Sequence, residues 1–345
     1  NSHIEQWREL FQELPEVKDR ELHVPLKAAI TLNQSGASQQ QNGAQIREPI
    51  PEDLQPIVAN DSRAQLLMIW NEGGAGKTSL AIEIARWAMG GKLASGALLP
   101  ILLDLQNHAT DLAESLKNQL SFIDADITID NVRDLLKQRR LLVIVDHFSE
   151  CTGDQQRWLL AQCHPSNLSL LLLTSRQNEK AKFLGWKSHE IRPERLQDAD
   201  LLRFFEYYLD ARSKQVATCQ STPQATIPLL SAEDQVRTRD LLERMVGNKP
   251  ITVLLACMVI DKTIEHIQEG RVDLLPSSVP DLMLNYVERM SNKIPLDDQY
   301  LDLVGVPKIF VDSALIQTIL KALALAAHEQ EDHAYKPQKI GRAHV

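Results

Sequence analysis

Residues 66–89 read LLMIWNEGGAGKTSLAIEIARWAM, and this stretch decides the fold class. Apolar residues run without alternation through 64–70, which predicts a strand buried on both faces, as in a parallel sheet. A glycine-rich loop, NEGGAGKTS, follows directly. Helical spacing then runs from 77 to 89 and ends at Gly90-Gly91. This order of strand, loop and helix predicts that the backbone amides of the loop surround an anion.

The loop follows the pattern G-x-x-x-x-G-K-[ST], except that Asn71 stands where the first glycine is expected. Lys77 is predicted to reach the β- and γ-phosphates of a nucleotide as a point charge, and the hydroxyl of Thr78 to bind Mg²⁺. Asparagine is the non-glycine residue that best tolerates a positive φ, so the substitution predicts little strain. The residues predicted to surround the phosphates are Asn71, Gly73, Gly74, Ala75, Gly76, Lys77, Thr78 and Ser79.

Two later strands end in residues that suit phosphate chemistry. The strand LLVIVD (141–146) ends in Asp146, the acid expected at a Mg²⁺ site opposite the loop lysine, and Glu150 is a candidate general base for an attacking water. The strand LLLLTSR ends in Arg176, which would lie beside the γ-phosphate if its strand neighbours both nucleotide-binding strands. The alternative interpretations are a solvated loop carboxylate for Glu150 and a surface arginine for Arg176.

Strands and helices alternate between residues 64 and 193, which predicts an α/β sheet covered by helices. The predicted strands after the phosphate loop lie at 100–105, 141–146, 168–176 and 189–193. Because the strand at 100–105 comes between the loop and the Asp146 strand in sequence, we expect the sheet subclass in which one strand is inserted between those two. After residue 193 the apolar spacing is helical, so an all-helical region is predicted for 194–335. A polar insertion is expected at 212–230, and the helix after it is expected to be capped by Ser231, with Asp234 three residues on, and to end at Gly247.

The first 60 residues are predicted to precede the sheet. Apolar residues at helical spacing near the start are Ile4, Trp7, Leu10 and Phe11. A short strand-like segment follows at 22–26. Residues 33–49 are polar and rich in Gln, Ser and Gly, which predicts a flexible connector and not a core segment.

Composition argues against several classes of function. The 345-residue chain carries a formal net charge of −9, which disfavours a nucleic-acid surface as its main function. It has neither a run of about 18 apolar residues, as a membrane span needs, nor a basic-then-apolar signal segment. Its four scattered cysteines predict reduced thiols in a cytosolic compartment. Its ten histidines show no metal-ligand spacing.

Together these motifs resemble those of the signal-transduction ATPases with numerous domains (STAND), and among them the NACHT family. The segments that carry the resemblance are NEGGAGKTSLA (71–81), VIVDHFSE (143–150), LLLTSR (171–176) and NKPITVLLAC (248–257). The resemblance implies a P-loop NTPase core of the ASCE type, followed by a helical region and the start of a winged-helix subdomain. It also implies that Pro250 contacts the nucleotide. The segments at 279–290 and 320–329 resemble later helices of the family.

The resemblance implies both a domain division and a mode of action. The division gives an N-terminal segment and linker (1–60), the NTPase core (61–193), a helical subdomain (194–290) and the start of the winged-helix region (291–339). The mode of action is a cytoplasmic switch that ADP holds closed and ATP exchange opens, with self-oligomerisation on activation and slow Mg²⁺-dependent hydrolysis. Effector and sensor domains would lie in the full-length chain, and no membrane or nucleic-acid partner is expected.

Three departures from the family pattern leave other functions open. Asn71 replaces the loop glycine, and Ser149 stands where the family has an acid, as in D-G-L-D-E. No residue matches the winged-helix histidine, because His328 comes too early. The alternatives are an AAA+-type motor and a nucleotide-binding scaffold without hydrolysis. ATP is favoured over GTP because NKPI at 248–251 has Ile251 where guanine recognition requires an aspartate.

The last six residues, 340–345, are predicted to be foreign to the protein. The codons ATC GGA AGA GCA CAC GTC, one possible encoding of these residues, spell a common sequencing-adapter read. An ordinary charged tail is the alternative. If the segment is foreign, we expect the natural protein to continue beyond a truncated reading frame.

Overall fold

The computed structural model describes residues 2–18, 20, 24–33, 44–59, 64–94, 98–105, 111–219, 231, 233–236, 238–240 and 250–268. The chain divides into two compact units. The first comprises 1–235 with 248–257, and the second comprises 236–247 with 258–345. The sheet and every predicted site residue belong to the first unit.

The helices and strands follow one another along the chain, with the strands concentrated before residue 194. The helices are α1 (Ser2–Glu13), α2 (Pro15–Lys18), α3 (Pro51–Val58), α4 (Lys77–Met89), α5 (Leu112–Leu120), α6 (Ile129–Lys137), α7 (Gly153–Gln162), α8 (Asp198–Cys219) and α9 (Val253–Gln268). The strands are β1 (Ala28–Thr31), β2 (Gln45–Arg47), β3 (Gln65–Trp70), β4 (Leu99–Leu102), β5 (Leu141–Val145), β6 (Leu170–Ser175) and β7 (Lys187–Pro193).

The seven strands form one mostly parallel sheet in the order β2-β1-β7-β3-β6-β5-β4. β3 pairs in parallel with both β6 and β7, and β5 pairs in parallel with β4 and β6. The α/β prediction is therefore confirmed for the sheet. The strand inserted between β3 and β5 is β6, so the condition stated for Arg176 is met, whereas β4 lies at the edge.

The register brings the ends of three strands to one edge of the sheet. Trp70 of β3 is opposite Ser175 of β6, and Val145 of β5 is opposite Leu173 of β6. β5 and β6 are buried along their whole length, as their continuous apolar sequences predict. The loops that leave β3, β5 and β6 therefore start side by side at the carboxyl ends of the strands, where ligands bind in open parallel sheets.

The first 60 residues, predicted to be an N-terminal segment and linker, contribute two strands to the sheet. β1 is antiparallel to β7 and to β2, and β2 falls inside the segment expected to be a flexible connector. The strand expected at 22–26 is found instead at 28–31. These strands are four and three residues long, too short for local periodicity to place. Their positions are fixed by pairing, of β1 with β7 and of β2 with β1.

The helix predicted near the start is present as α1 and packs onto the core. The indole of Trp7 donates a hydrogen bond to the carbonyl of Pro100 at 2.8 Å, and Phe11 is only 1 % exposed. Leu10, which was expected on the apolar face, is 41 % exposed. The N-terminal helix is thus part of the first unit.

Two helices, α3 and α7, were not predicted from the sequence. α3 has only eight residues, and the apolar spacing of α7 is weak. α3 begins with a proline in its first turn and is capped by the carboxylate of Asp53, which accepts a hydrogen bond from the Ile50 N–H at 3.0 Å. α7 begins with a capping box between Thr152 and Gln155. Capping therefore defines the starts of these helices more clearly than hydrophobic periodicity does.

After residue 193 the regular secondary structure of the described residues is helical, apart from one isolated bridge between Leu196 and Ile251. α8 runs to Cys219, past the start of the polar insertion expected at 212–230. Ser231 accepts a hydrogen bond from the Asp234 N–H at 3.1 Å, which confirms the predicted cap. No helix in the described part of the chain is long and apolar enough to cross a membrane.

Several predictions fall on residues that the structure does not describe. They concern the rest of the insertion at 220–230, the helix end at Gly247, the helices at 279–290 and 320–329, the winged-helix region at 291–339 and the tail at 340–345. These remain predictions.

Candidate functional site

The glycine-rich loop leaves β3 and opens α4, whose first residue is Lys77. Gly74 and Gly76 have φ angles of 76° and 86°, a left-handed backbone that favours glycine. A Cβ on Gly74 would lie 2.9 Å from Cβ of Leu254, and one on Gly76 would lie 2.9 Å from Cδ1 of Leu26. Backbone conformation therefore favours glycine at both positions, and at Gly74 the Cβ of Leu254 also leaves no room for a side chain.

Asn71 supports the loop through its side chain and not through an unusual backbone. Non-glycine residues with positive φ in the described chain are Arg139 and His147, so the tolerance of asparagine for that region is not needed here. The Asn71 amide donates to the Pro193 carbonyl at 2.6 Å, and its oxygen accepts from the Glu72 N–H at 2.8 Å. The residue in place of the first glycine thus ties the loop to the end of β7.

Lys77 folds back over the loop. Its ammonium donates to the Glu72 carbonyl at 2.6 Å, and the residue is 7 % exposed. Burial lowers the pKa of Lys77, while the nearby carboxylate of Asp146 acts in the opposite direction. A buried cation inside a loop of backbone N–H groups is suited to hold an anion.

Asp146 lies directly after β5 and faces the start of α4, as predicted. Its Oδ1 accepts hydrogen bonds from the Thr78 hydroxyl, at 3.1 Å, and from the Thr174 hydroxyl of β6. Thr174 in turn accepts from the His147 N–H at 2.9 Å. The structure therefore joins the phosphate loop, β5 and β6 through one carboxylate oxygen.

Glu150 and Arg176, the predicted base and phosphate-contacting cation, are partners of one another. Arg176 Nε donates to Glu150 Oε1 at 2.9 Å, and the Arg176 N–H donates to the Ser149 hydroxyl at 3.0 Å. His147 also lies between carboxylates, with Nε2 3.2 Å from Asp146 Oδ2 and Nδ1 3.4 Å from Glu150 Oε1. Polar contacts therefore run from Arg176 through Glu150 and His147 to Asp146, which is bonded to Thr78 at the end of the loop.

The segment after Pro250 also reaches the loop. Ile251 exchanges backbone hydrogen bonds with Leu196 at 2.8 and 2.9 Å, and the Leu254 N–H donates to the Gly74 carbonyl at 3.0 Å. Pro250 itself is exposed. Its predicted contact with a nucleotide stays a prediction, but the chain on its C-terminal side is bonded to the loop.

A cavity of about 180 Å³ lies along α4, with Leu80, Glu83 and Trp87 of that helix in its wall. Leu26, which lies beside Gly76, and Glu48 also line it. The wall combines apolar side chains with few polar groups, as in small-molecule sites, but the volume is below the roughly 300–1,000 Å³ usual for them.

Three residues at the site were not predicted from the sequence to have a role there. Thr174 and His147 orient the carboxylates, and Arg195 pairs with Glu72 of the loop. Thr174 stands in the TSR segment quoted for Arg176, so that segment held a signal for it. His147 and Arg195 had none, because their roles depend on residues brought near by the fold.

The oxygen atoms at the start of α4 fit a magnesium ion. The Thr78 hydroxyl and the Asp146 carboxylate are 3.1 Å apart, and Mg²⁺ prefers oxygen ligands of this kind. No group of three or more His, Cys, Asp or Glu side chains that could hold a metal occurs in the residues the structure describes. A site with few protein ligands matches a Mg²⁺ that is held jointly with phosphate groups.

Comparisons with known proteins give little similarity. No protein-family model matches the chain, and no curated protein matches it. Among solved structures, C. elegans PCH-2 is similar with a TM-score of 0.35 and 12 % sequence identity, over 64 % of this chain and 68 % of that chain. The description of fold and site therefore rests on the geometry given above.

Proposed function

We propose that this chain binds ATP and ADP with Mg²⁺ and hydrolyses ATP slowly. The observation that carries the proposal is the arrangement at the start of α4. Lys77 and the loop glycines follow a buried parallel strand, and Thr78 is bonded to Asp146 at the end of a second strand. An anion cradle, a cation and an oxygen pair for Mg²⁺ are the groups that phosphoryl transfer requires.

Each side chain then has a defined task. The loop amides and Lys77 would bind the phosphates, and Thr78 with Asp146 would hold Mg²⁺, which would supply positive charge to neutralise the phosphates. Glu150 receives the proton of the attacking water, and Arg176 stabilises charge on the γ-phosphate. The cavity along α4 is the candidate site for the nucleoside, since Leu26 in its wall lies beside Gly76 of the loop.

Calorimetry of ATP and ADP binding, with and without Mg²⁺, tests the assignment. Lys77→Ala removes a charge-assisted contact worth roughly 1.5–3 kcal/mol, so the affinity should fall about tenfold or more. Lys92→Ala, which changes an exposed lysine just after α4, is the matched control and should bind like the wild type. Equal binding by wild type and Lys77→Ala would contradict the proposal.

We further propose that the nucleotide acts as a switch between an ADP-held closed form and an ATP-bound form that self-associates. The NACHT-like order of the four motifs supports this reading over a motor or a scaffold. A switch retains ADP through purification, whereas a motor turns over many ATP molecules per minute. A scaffold without hydrolysis would leave the ATPase rate unaltered in Glu150→Gln. These two measurements distinguish the three functions.

A further inference from the structure

Two adjacent residues of the phosphate loop form hydrogen bonds with the end of β7 and with the residues just after it. The Asn71 amide donates to the Pro193 carbonyl at 2.6 Å. One residue on, both carboxylate oxygens of Glu72 accept from the guanidinium of Arg195, through Nε and Nη2. A bidentate ion pair of this kind fixes the relative orientation of the two side chains as well as the distance between them.

The same guanidinium reaches a third segment. Arg195 Nη1 lies 3.5 Å from the carbonyl of Pro250. The neighbouring residue, Leu196, exchanges both of its backbone hydrogen bonds with Ile251. Arg195 therefore stands where the loop, the end of β7 and the segment after Pro250 meet, all within the first unit.

Electrostatics favour a charged pair at this position. The hydrogen bonds from Arg195 lower the pKa of Glu72, and those to Glu72 raise the pKa of Arg195. Both groups therefore keep their charges throughout the neutral range.

We propose that Arg195 is a positioning residue of the phosphate loop, which acts through Glu72 to hold the loop against the 193–196 and 250–251 segments. The inference rests on the proposed function, because it takes the loop to be the phosphate site. It does not require Arg195 to touch the nucleotide. A loop whose N–H groups are aimed before binding loses less freedom when the ligand arrives, and so binds it more tightly.

Hydrogen exchange of the 71–76 peptide in the full chain without nucleotide tests the inference directly. A well-formed, half-exposed ion pair is worth up to about 1 kcal/mol, so Arg195→Ala should make this peptide exchange about fivefold faster. Arg195→Lys should restore little, because lysine keeps the charge but cannot grip both oxygens. Arg133→Ala is the control and should leave the exchange of this peptide unchanged. The Arg133 side chain is 50 % exposed, close to the 47 % of Arg195, but its partners Asp111 and Asp130 lie outside the loop.

A double-mutant cycle separates this role from a general effect on the structure. In a Glu72→Ala background, Arg195→Ala should add no further increase in exchange, and the two single variants should resemble one another. In calorimetry, Arg195→Ala should weaken ATP binding about fivefold. Unchanged exchange in Arg195→Ala, or additive effects of the two changes, would overturn the proposal. If the wild type binds no ATP, the proposed function fails, and the exchange data still decide whether Arg195 holds the loop.

Discussion

The residue after Asp146 has an unusual backbone conformation. His147 has a φ of 56°, in the left-handed region, and the chain turns there so that its N–H meets the Thr174 hydroxyl. Histidine is among the non-glycine residues that enter this region more often than most. Here it keeps the turn and places an imidazole between Asp146 and Glu150.

Thr174→Val hardly changes the size of the side chain, but it should weaken the metal-dependent binding of ATP. The hydroxyl is fully buried, donates to Asp146 and accepts from the His147 N–H. Its loss should destabilise the fold by about 1–2 kcal/mol and weaken Mg²⁺-dependent ATP binding severalfold, because Asp146 loses its fixed orientation. Thr263→Val removes a buried hydroxyl that bonds within α9 and should leave the Mg²⁺ dependence unchanged. Urea unfolding and calorimetry measure the two effects, and equal Mg²⁺ dependence in both variants would refute this role.

Gly74→Ala and Gly73→Ala form a matched pair within the loop. At Gly74 a side chain meets Leu254 and a φ of 76°, so alanine should cost about 1–2 kcal/mol from backbone strain alone. At Gly73 nothing lies within 4 Å of the added Cβ, so the change in stability should stay within about 0.5 kcal/mol. Thermal unfolding of both variants checks this, and similar losses in both would mean that the loop conformation differs from the one described.

At the scale of elements, the contact between β3 and β7 contains a buried polar pair. His189 Nε2 lies 2.7 Å from Gln65 Oε1, and Nδ1 finds no hydrogen-bond partner among the described residues. His189 is 2 % exposed. Burial, aided by Lys187, lowers the pKa of His189 to about 4. The strand pairing that places the phosphate loop therefore depends on a histidine that must stay neutral.

This histidine makes the stability of the fold depend on pH. Because its pKa is lower in the folded state, the unfolded chain binds more protons between pH 6.5 and about 4, so stability is full above this window and falls as the pH drops through it. The loss should reach about 3 kcal/mol at the acid end. His189→Gln should flatten this part of the curve, whereas His164→Gln, at an exposed site, should not. Denaturant unfolding from pH 7 to pH 4 measures the slopes, and parallel curves for wild type and His189→Gln would rule the effect out.

At the scale of the first unit, the N-terminal residues complete the core that supports the site. Trp7 bonds to β4, Arg8 Nη2 donates to the Met89 carbonyl at the end of α4 at 3.3 Å, and β1 extends the sheet beyond β7. The helix that carries Lys77 is thus held at its far end by α1. A start of the domain at residue 61 would leave these contacts unmade.

Phe11→Ala should therefore destabilise the whole first unit. Replacing a buried phenylalanine by alanine costs about 3–5 kcal/mol through lost burial and the cavity left behind. Leu10→Ala, at the adjacent and largely exposed position, should change the free energy of unfolding by about 0.5 kcal/mol or less. Urea unfolding followed by tryptophan fluorescence compares them. Equal effects of the two substitutions would show that α1 does not dock through Phe11.

The sequence alone predicted the glycine-rich loop, the bounds of α4 and the strands that are followed by Asp146 and Arg176. These features depend on short-range patterns of apolar residues and glycines, which a chain carries wherever it folds. Only the tertiary structure decided that β6 separates β3 from β5, that β1 and β2 join the sheet, and that Arg195 meets Glu72, 123 positions away. Such contacts arise when strand pairing brings distant segments together, so no local sequence pattern predicts them. The same reasoning changes the meaning of Asn71, which is a side-chain tie to β7 and not merely a tolerated glycine substitute.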